Sequence, residues 1–345
     1  MKAIIMAGGQ GTRFWPWSIK EKPKQFLTLS SDKTMIQETY DRFRKWLPIE
    51  KIFVVTTDEY YSLVIEQLPE INSDQIILEP ERRDTGPCVA LSALHFLEKQ
   101  EDEVIVTVPS DQYISDGELF RNSMITAEKA AQKDRSIVTL GIVPTRPETG
   151  YGYIEAKEGV GQESIVPVKK FIEKPSLKQA VELLKNKNVY WNSGIFLWKP
   201  STIAYYMELL QKDIWRTLLN NRSNLKQAYS KLPKISVDYA ILEKAETVYM
   251  IPAEFEWDDL GSWCSVERIQ KENDKQNLEL GNVYTLESNN CIVISDKQKA
   301  LVIGVDDLII VSTEEGLLVS HKSKEQIIKK ALNSTWVNHS EENKK

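Results

Sequence analysis

The sequence predicts an α/β protein with a largely parallel sheet, followed by a small β-rich domain. Over the first 145 residues, short apolar runs alternate with helical patterns, which is typical of parallel strands joined by right-handed helical crossovers. Beyond about residue 275 the pattern changes to short strands separated by turn residues, as in a compact all-β module. Ligands of parallel sheets bind beyond the carboxyl ends of the strands. Residues directly after the strands are therefore the first candidates for a functional site.

The predicted elements can be followed along the chain. Strands are expected at residues 3–7, 52–57, 76–78, 104–108 and 137–143, with a helix at 87–99. Further strands are expected at 151–156, 166–173 and 189–198, in a segment that we interpret as an insertion completing a second half of the site. The β-rich part has a polar helix at 266–273, strands at 281–286, 291–295, 301–305, 308–312 and 317–320, and a final helix at 324–332. Residues 338–345 look frayed, and the predicted domains are residues 1–265 and 275–335.

Composition narrows the class of protein. The 345 residues are 41% hydrophobic, enough for one large domain and a smaller one. A formal net charge of −6 argues against a nucleic-acid-binding surface. No apolar stretch approaches the roughly 20 residues of a membrane span, and the N-terminus has no signal-peptide pattern. We therefore expect a cytoplasmic protein with no membrane partner, whose three scattered cysteines form neither a disulfide framework nor a zinc cluster.

A glycine-rich loop that ends in an arginine follows the first predicted strand. Gly8, Gly9 and Gly11 allow close approach and positive φ, and the planar fork of Arg13 suits phosphate oxygens. Backbone N–H groups at such a junction can converge on a phosphate. The loop matches neither the dinucleotide fingerprint nor the P-loop. On its own it fits a tight turn with an incidental arginine about as well.

Charged residues farther along the chain can complete such a site. Lys24 follows the glycine loop closely enough to reach the same phosphates, although a lone lysine is more often a surface residue. Asp111 comes directly after a predicted strand, where it could also cap a helix. Two further carboxylates, Asp258 and Asp259, lie far away in the sequence, between two tryptophans. Because Mg²⁺ is usually held by one or two carboxylates together with substrate phosphates, these acids predict a magnesium site.

Three polar motifs lie between those carboxylates, at residues 148–155, 171–175 and 191–196. Glu173 and Asn192 can bind sugar hydroxyls, and Lys174 can neutralise a monophosphate. Each motif taken alone fits equally well as a strand end with ordinary polar residues.

Taken together, and in this order, the motifs resemble the sugar nucleotidyltransferase family. The resemblance spans about residues 1–265 and rests on segments 6–18, 22–25, 78–87, 108–111, 149–154, 171–175, 191–194, 236–240 and 257–263. Trp-Pro-Trp-Ser at 15–18 and Asp-Leu-Gly-Ser-Trp at 259–263 favour the mannose branch of the family. The resemblance implies a Rossmann-like mixed sheet of the nucleotidyltransferase type. It also implies a small C-terminal β-rich domain that packs on the catalytic domain, consistent with a homodimer.

The resemblance implies transfer of a guanylyl group from GTP to mannose 1-phosphate, with Mg²⁺ as cofactor. The sugar phosphate would attack the α-phosphorus in line and release pyrophosphate, a reaction that depends mostly on alignment and charge stabilisation. The implied GTP-binding residues are Gly8, Gly9, Gly11, Thr12, Arg13, Lys24, Glu79, Asp84 and Asp111. The implied catalytic residues are Arg13, Lys24, Asp111 and Asp259, of which Asp111 and Asp259 hold the metal. The implied sugar-phosphate residues are Gly150, Glu173, Lys174 and Asn192.

Three positions depart from the family pattern. Asp84 stands where the family usually has asparagine and Gly86 where it has alanine, and Gln112 replaces the usual histidine after Asp111. An acid near the nucleotide leaves the choice of base open. The remaining alternatives are the same reaction on glucose or heptose 1-phosphate, the same reaction with another nucleoside triphosphate, or an inactive regulatory homologue. Retention of both predicted metal carboxylates argues against the inactive homologue.

Overall fold

The computed structural model describes residues 1–9, 11–133, 135–157, 165–271 and 276–332. The chain forms two compact units, each discontinuous in sequence. The first unit contains Met1–Gly8, Ile36–Ser110 and Ile114–Trp257. The second unit contains Gly9–Met35, Asp111–Tyr113 and the described part of Asp258–Lys345. The glycine loop therefore leaves the first unit after Gly8 and belongs, from Gly9 onward, with the C-terminal part of the chain.

Eleven strands are described in the first 260 residues, and most of them belong to the larger sheet. In chain order they are β1 (Lys2–Met6), β2 (Ile52–Thr57), β3 (Ile76–Glu79), β4 (Ile105–Pro109), β5 (Tyr113–Ile114), β6 (Ile137–Ile142), β7 (Tyr153–Ala156), β8 (Val166–Ile172), β9 (Val189–Trp198), β10 (Val248–Pro252) and β11 (Trp257–Asp258). Within the described residues, all but β5 and β11 form one nine-stranded sheet in the order β3-β2-β1-β4-β9-β6-β10-β8-β7.

The sheet is mixed, which confirms the predicted fold class. Strands β3, β2, β1 and β4 are mutually parallel, as the alternating pattern predicts. Strand β9 runs antiparallel to both β4 and β6, and β8 runs antiparallel to β10 and β7. The antiparallel strands β7, β8 and β9 come from the segment interpreted as an insertion, so the insertion extends the sheet itself. Strand β10, which the sequence pattern did not predict, pairs in parallel with β6.

The helices of the chain follow from capping and apolar periodicity. They are α1 (Met35–Arg44), α2 (Tyr61–Gln67), α3 (Thr85–Glu98), α4 (Gly117–Ala131), α5 (Leu177–Leu183), α6 (Pro200–Leu210), α7 (Lys212–Asn220), α8 (Leu225–Tyr229) and α9 (Trp263–Gln270). Asp116 caps α4, because its Oδ1 accepts hydrogen bonds from the amides of Glu118 and Leu119 at 2.8 and 2.9 Å, a common N-terminal stabilisation. The apolar helix α3 packs against α6 and α7 and contributes Val89 and Leu94 to the core of the first unit.

The second unit contains a four-stranded sheet of a different kind. Its strands are β12 (Leu278–Leu286), β13 (Ile292–Ile303), β14 (Leu308–Thr313) and β15 (Gly316–His321). The β12–β13 and β13–β14 pairs are parallel, and only β14–β15 is antiparallel. Val283 pairs with Ala300 and Ile292 with Ile309, 17 residues apart in both cases, whereas Leu278 at the start of β12 pairs with Ile292, 14 residues on. The chain thus winds in a coil, with the turn residues at its corners.

This winding corrects one prediction. Segments 291–295 and 301–305 were expected as separate strands, but β13 runs through both. The polar residues between them are exposed while the chain stays extended. Their polarity therefore reflects contact with solvent and does not indicate a turn between two strands. The final helix also differs, because residues 322–327 form a 3₁₀ helix that continues as an α-helical turn over 328–332.

The N-terminal loop and the C-terminal strands share one hydrophobic core in the second unit. Phe14, Leu27 and Trp263 pack in the same cluster as Ile292 and Ile309 of the coil. The rings of Phe14 and Trp263 meet edge to face at 5.1 Å, an arrangement that favours aromatic pairs. The loop conformation therefore depends on residues nearly the whole chain away.

Some predictions lie outside the described residues: the frayed segment 338–345, the end of the helix at 272–273, and the domain limits at 275 and 333–335. The three cysteines are free. In the part of the chain that the structure describes, none of the helices is both long enough and apolar enough to cross a bilayer.

Candidate active site

A polar pocket of about 240 Å³ lies within the second unit. Its walls are glycine-loop residues, two carboxylates and three cationic side chains: Gly11, Thr12, Arg13, Phe14, Lys24, Asp111, Asp259, Gly261 and Lys329. The structure thus brings together all four residues predicted as catalytic, although they come from three distant segments. Lys329 was not among the predicted site residues.

Gly11 allows the loop to pass directly over Lys24. Its φ is +59°, a left-handed conformation that favours glycine. A Cβ atom at this position would lie 2.3 Å from the Lys24 Cβ and 3.0 Å from the Lys24 backbone nitrogen, far inside contact distance. Gly9, by contrast, has no heavy atom within 4 Å of the position that a Cβ would occupy. Of these two glycines, Gly11 is the one that the local fold requires.

Lys24 is a buried cation between the two predicted metal carboxylates. The side chain follows Pro23, begins a short 3₁₀ helix (Lys24–Phe26), and is only 4% exposed. Its Nζ lies 2.9 Å from Asp111 Oδ2 and donates a hydrogen bond to the Asp259 carbonyl oxygen at 2.7 Å. The expected alternative of a surface lysine does not apply. Lys24 ties the Asp111 and Asp259 segments into one polar site.

Asp259 and Asp258 have different environments. Burial raises the pKa of the Asp259 carboxyl above its ordinary value, with Lys24 opposing this effect and the nearby Asp111 charge adding to it. Asp258 is buried and accepts hydrogen bonds from Arg268 Nη2 at 2.7 Å and from the Leu260 amide at 2.9 Å. Asp258 therefore holds the segment in place, whereas Asp259 lines the pocket.

Glu79 forms the centre of a second polar group, in the first unit. Tyr229 Oη donates a hydrogen bond to Glu79 Oε1 at 2.6 Å, and Glu79 Oε2 would lie 3.7 Å from a Cβ atom on Gly8. Burial is the largest cause that raises the pKa of Glu79 to about 7, and the Tyr229 hydrogen bond and the Arg82 charge oppose it. A carboxyl of this kind can accept or donate a hydrogen bond near neutral pH.

The departure from the family pattern at Gly86 has a local explanation, whereas the position of Asp84 would suit the usual asparagine equally well. Asp84 caps α3, its Oδ1 accepting from the Thr85 amide at 2.8 Å, and its φ is +66°. Gly86 donates its N–H to the Ile235 carbonyl oxygen at 2.9 Å, and a Cβ there would lie 2.7 Å from that same oxygen. Glycine is therefore needed at 86 in this chain. The Asp84 side chain is exposed, so it has room to act on a ligand as well as on the helix.

The predicted sugar-phosphate residues form a third group, also in the first unit. Gly152 approaches Glu173 so closely that a Cβ would lie 2.7 Å from its Oε2, and the Asn192 amide donates to the Gly152 carbonyl oxygen at 2.8 Å. Lys174 Nζ lies 2.5 Å from Glu173 Oε1. Asn192 Nδ2 donates to Asp238 Oδ1 at 2.8 Å. Glu173, Lys174 and Asn192 are thus neighbours, as the resemblance implied.

Gly150 is not part of these contacts. Its N–H donates a hydrogen bond to Glu148 Oε1 at 3.1 Å. Gly152 and Asp238 were not predicted as members of the group. Desolvation of the Asp238 carboxyl raises its pKa to about 6, and the Glu173 charge adds to the effect. Its position in Ser-Val-Asp-Tyr-Ala, one of the motifs that carry the resemblance, was the signal that could have identified it.

Comparison with known proteins agrees with this description. A family model described as nucleotidyl transferase matches residues 2–276. A second model, described as a MannoseP isomerase/GMP-like beta-helix domain, matches residues 281–334, the region that contains the parallel coil. The mixed sheet is thus that of a nucleotidyltransferase, and the chain belongs to the nucleotidyl transferase family.

Two of the similar proteins are mannose-1-phosphate guanylyltransferases. The chain is 36% identical over 356 residues to the mannose-1-phosphate guanylyltransferase of Salmonella muenchen, covering 99% of this chain and 75% of that protein. It is also 36% identical over 350 residues to mannose-1-phosphate guanylyltransferase 2 of Escherichia coli O157:H7, covering 96% and 72%. A solved structure from Thermus thermophilus, described as a mannose-1-phosphate geranyltransferase, superposes with a TM-score of 0.87 at 30% identity over 96% of this chain and 98% of that one.

Proposed function

We propose that this protein transfers a guanylyl group from GTP to mannose 1-phosphate, yielding GDP-mannose and pyrophosphate. The observation that carries the proposal is the pocket of the second unit, where Arg13, Lys24, Asp111 and Asp259 line one cavity beneath the glycine loop. The cationic side chains of Arg13 and Lys24 and the glycine loop suit a polyphosphate. The two carboxylates suit a hard metal ion. The similarity to two mannose-1-phosphate guanylyltransferases supports the choice of base and sugar.

The proposed roles in the second unit follow from charge and position. Gly9, Gly11 and Thr12 present the loop to the triphosphate, and Arg13 and Lys24 stabilise the negative charge that develops on the departing β- and γ-phosphates. Lys24 has little freedom to move, because Asp111 and the Asp259 carbonyl hold its ammonium. Its charge is therefore preorganised before substrate arrives.

The carboxylates of Asp111 and Asp259 fit a magnesium ion, since both are oxygen donors lining the same pocket. Among the described residues, no group of three or more His, Cys, Asp or Glu side chains is arranged to hold a metal, so the phosphates would have to supply further ligands. When bound, Mg²⁺ would neutralise phosphate charge and orient the α-phosphate.

The proposed roles in the first unit concern the base and the sugar. Glu79, which lies near Gly8, and Asp84 can accept hydrogen bonds from the N1 and N2 donors of guanine. Glu173 and Asn192 would bind mannose hydroxyls together with Gly150, and Lys174 would neutralise the monophosphate. The sugar-phosphate oxygen is itself the nucleophile, so no protein nucleophile is needed.

The test is a grid of nucleoside triphosphates and sugar 1-phosphates assayed for pyrophosphate release. We expect the highest kcat/KM for GTP with mannose 1-phosphate, because a site that hydrogen-bonds one purine leaves polar groups unpaired with another. Equal use of ATP and GTP would overturn the guanylyl assignment. A clear preference for glucose or heptose 1-phosphate would overturn the mannose assignment, and absence of turnover with every pair would favour a regulatory homologue.

Asp84→Asn refines the assignment of the base. Asparagine tolerates positive φ and also caps helices, so the substitution removes charge while the start of α3 keeps its geometry. If Asp84 reads guanine, the preference for GTP over ATP changes in this variant; an unchanged ratio would remove Asp84 from the base site. A homodimer and a cytoplasmic location stay predictions from the sequence.

A further inference from the structure

Lys329 belongs to the C-terminal turn of the second unit, and it lines the same pocket as Arg13 and Lys24. It lies in a basic tract, 322–330, that the sequence pattern predicts as a solvated helix face. Its side chain is indeed exposed. An exposed lysine that lines a pocket can contact a ligand bound there, whereas a lysine elsewhere on the surface contacts only solvent.

Neighbouring residues fix the position of the segment that carries Lys329. Ile328, directly before it, is 5% exposed and packs in the hydrophobic core with Phe14 and Trp263. Earlier in the segment, Lys322 Nζ lies 2.6 Å from Glu267 Oε2, and Glu325 Oε2 accepts from the Cys264 amide at 3.1 Å. The backbone of Lys329 is therefore anchored on both the loop core and helix α9.

The two carboxylates of the pocket partly neutralise its cationic side chains. Lys24 is already engaged by Asp111 at 2.9 Å, and Asp111 and Asp259 add negative charge to the same cavity. In the described part of the chain, no carboxylate lies within ion-pair distance of the Lys329 ammonium. Among the described residues its charge is thus not compensated by a carboxylate, whereas that of Lys24 is.

We propose that Lys329 is a phosphate-binding residue that contacts the β- and γ-phosphates of the nucleotide, and the pyrophosphate that they become. The inference rests on the proposed function for the identity of the ligand. It assigns to the C-terminal β-rich domain a direct part in substrate binding, in addition to its packing role.

The test compares Lys329→Ala with Lys330→Ala, a matched control. Lys330 is the next residue, is equally exposed, and does not line the pocket. Loss of a charge-assisted phosphate contact at an exposed site predicts a roughly 10-fold rise in KM for GTP and in KM for pyrophosphate in the reverse reaction. The KM for mannose 1-phosphate should stay unchanged. Lys329→Arg should restore most of the affinity, and the deficit of Lys329→Ala should shrink at high salt.

Direct titration of the wild type and both alanine variants with inorganic pyrophosphate and Mg²⁺ separates this inference from the proposed function, because it requires neither base nor sugar. Weaker pyrophosphate binding in Lys329→Ala alone supports the proposal even if the enzyme prefers another nucleotide or sugar. Affinities within twofold of the wild type, or equal losses in the two variants, would overturn it.

Discussion

Glu79→Gln removes a buried carboxyl that is costly to ionise. Glu79 is 4% exposed, and burial raises the pKa of its carboxyl from 4.5 to about 7, despite the opposing hydrogen bond from Tyr229. Glutamine has nearly the same shape, and its Oε1 can accept the same hydrogen bond. The substitution therefore separates the charge of this side chain from its packing.

The sign and size of the effect follow from the two pKa values. Between pH 4.5 and about 7, the folded protein retains a proton on Glu79 that the unfolded chain has released, so the wild type loses stability as the pH rises through this window. A pKa raised from 4.5 to about 7 corresponds to roughly 3 kcal/mol of unfolding free energy above pH 7, at about 1.4 kcal/mol per pH unit. Some of this loss has occurred by pH 5, so roughly 2 to 3 kcal/mol develops between pH 5 and pH 8.

Urea unfolding of the wild type and Glu79→Gln at pH 5, 6, 7 and 8 measures this difference. The stability of the variant relative to the wild type should grow with pH by the amount above. Glu66→Gln, at an exposed position in the same unit, serves as the control and should follow the wild type. Parallel curves for Glu79→Gln and the wild type would mean that Glu79 titrates at its ordinary pKa in the folded protein, and the reasoning would be refuted.

Three further predictions concern the other groups of the site. Gly11→Ala should lower the unfolding free energy by at least about 1 to 2 kcal/mol from its positive φ alone, and abolish turnover, while Gly9→Ala should leave thermal stability unchanged; similar melting temperatures for the two variants would contradict the role of Gly11. Asp111→Asn and Asp259→Asn should each collapse kcat, and the double variant should be little worse, because residues acting as a unit are not additive; multiplicative losses would argue against a shared metal. Lys174→Ala should raise the KM for mannose 1-phosphate and leave GTP affinity intact, and an unchanged sugar-phosphate KM would remove Lys174 from the site.

Much of the first unit could be predicted from local pattern. The bounds of β2 and β9 agree with the predicted strands 52–57 and 189–198. Residues 52–57 are an apolar and β-branched run, and in 189–198 two apolar stretches flank Asn192, Ser193 and Gly194. The convergence of Lys24 with Asp111 could be anticipated, since each follows an early strand or its loop. Strand β10 (Val248–Pro252) was not predicted, although it is an apolar run of the same length as β1.

Other features depend on tertiary packing and could not be predicted from the local sequence. The parallel pairing of β12 and β13 is set by how the coil closes on its core, whereas the turn residues alone fit hairpins equally well. Asp238 becomes part of a polar group only through its contact with Asn192, 46 residues earlier. Lys329 lies in a stretch whose composition is that of any solvated helix. Its proximity to the glycine loop arises from the core beneath it.

The shared core of the second unit has a consequence for synthesis of the chain. Residues 9–35 are synthesised before the C-terminal part, but most of the core cluster that Phe14 and Leu27 belong to lies between 260 and 328. The first unit can assemble while translation continues, since domains generally fold as units during synthesis. The glycine loop, in contrast, lacks most of its core neighbours until the segment up to about residue 328 has been synthesised. A nascent chain that has emerged only as far as residue 257 could therefore build its large sheet but not the pocket around Lys24.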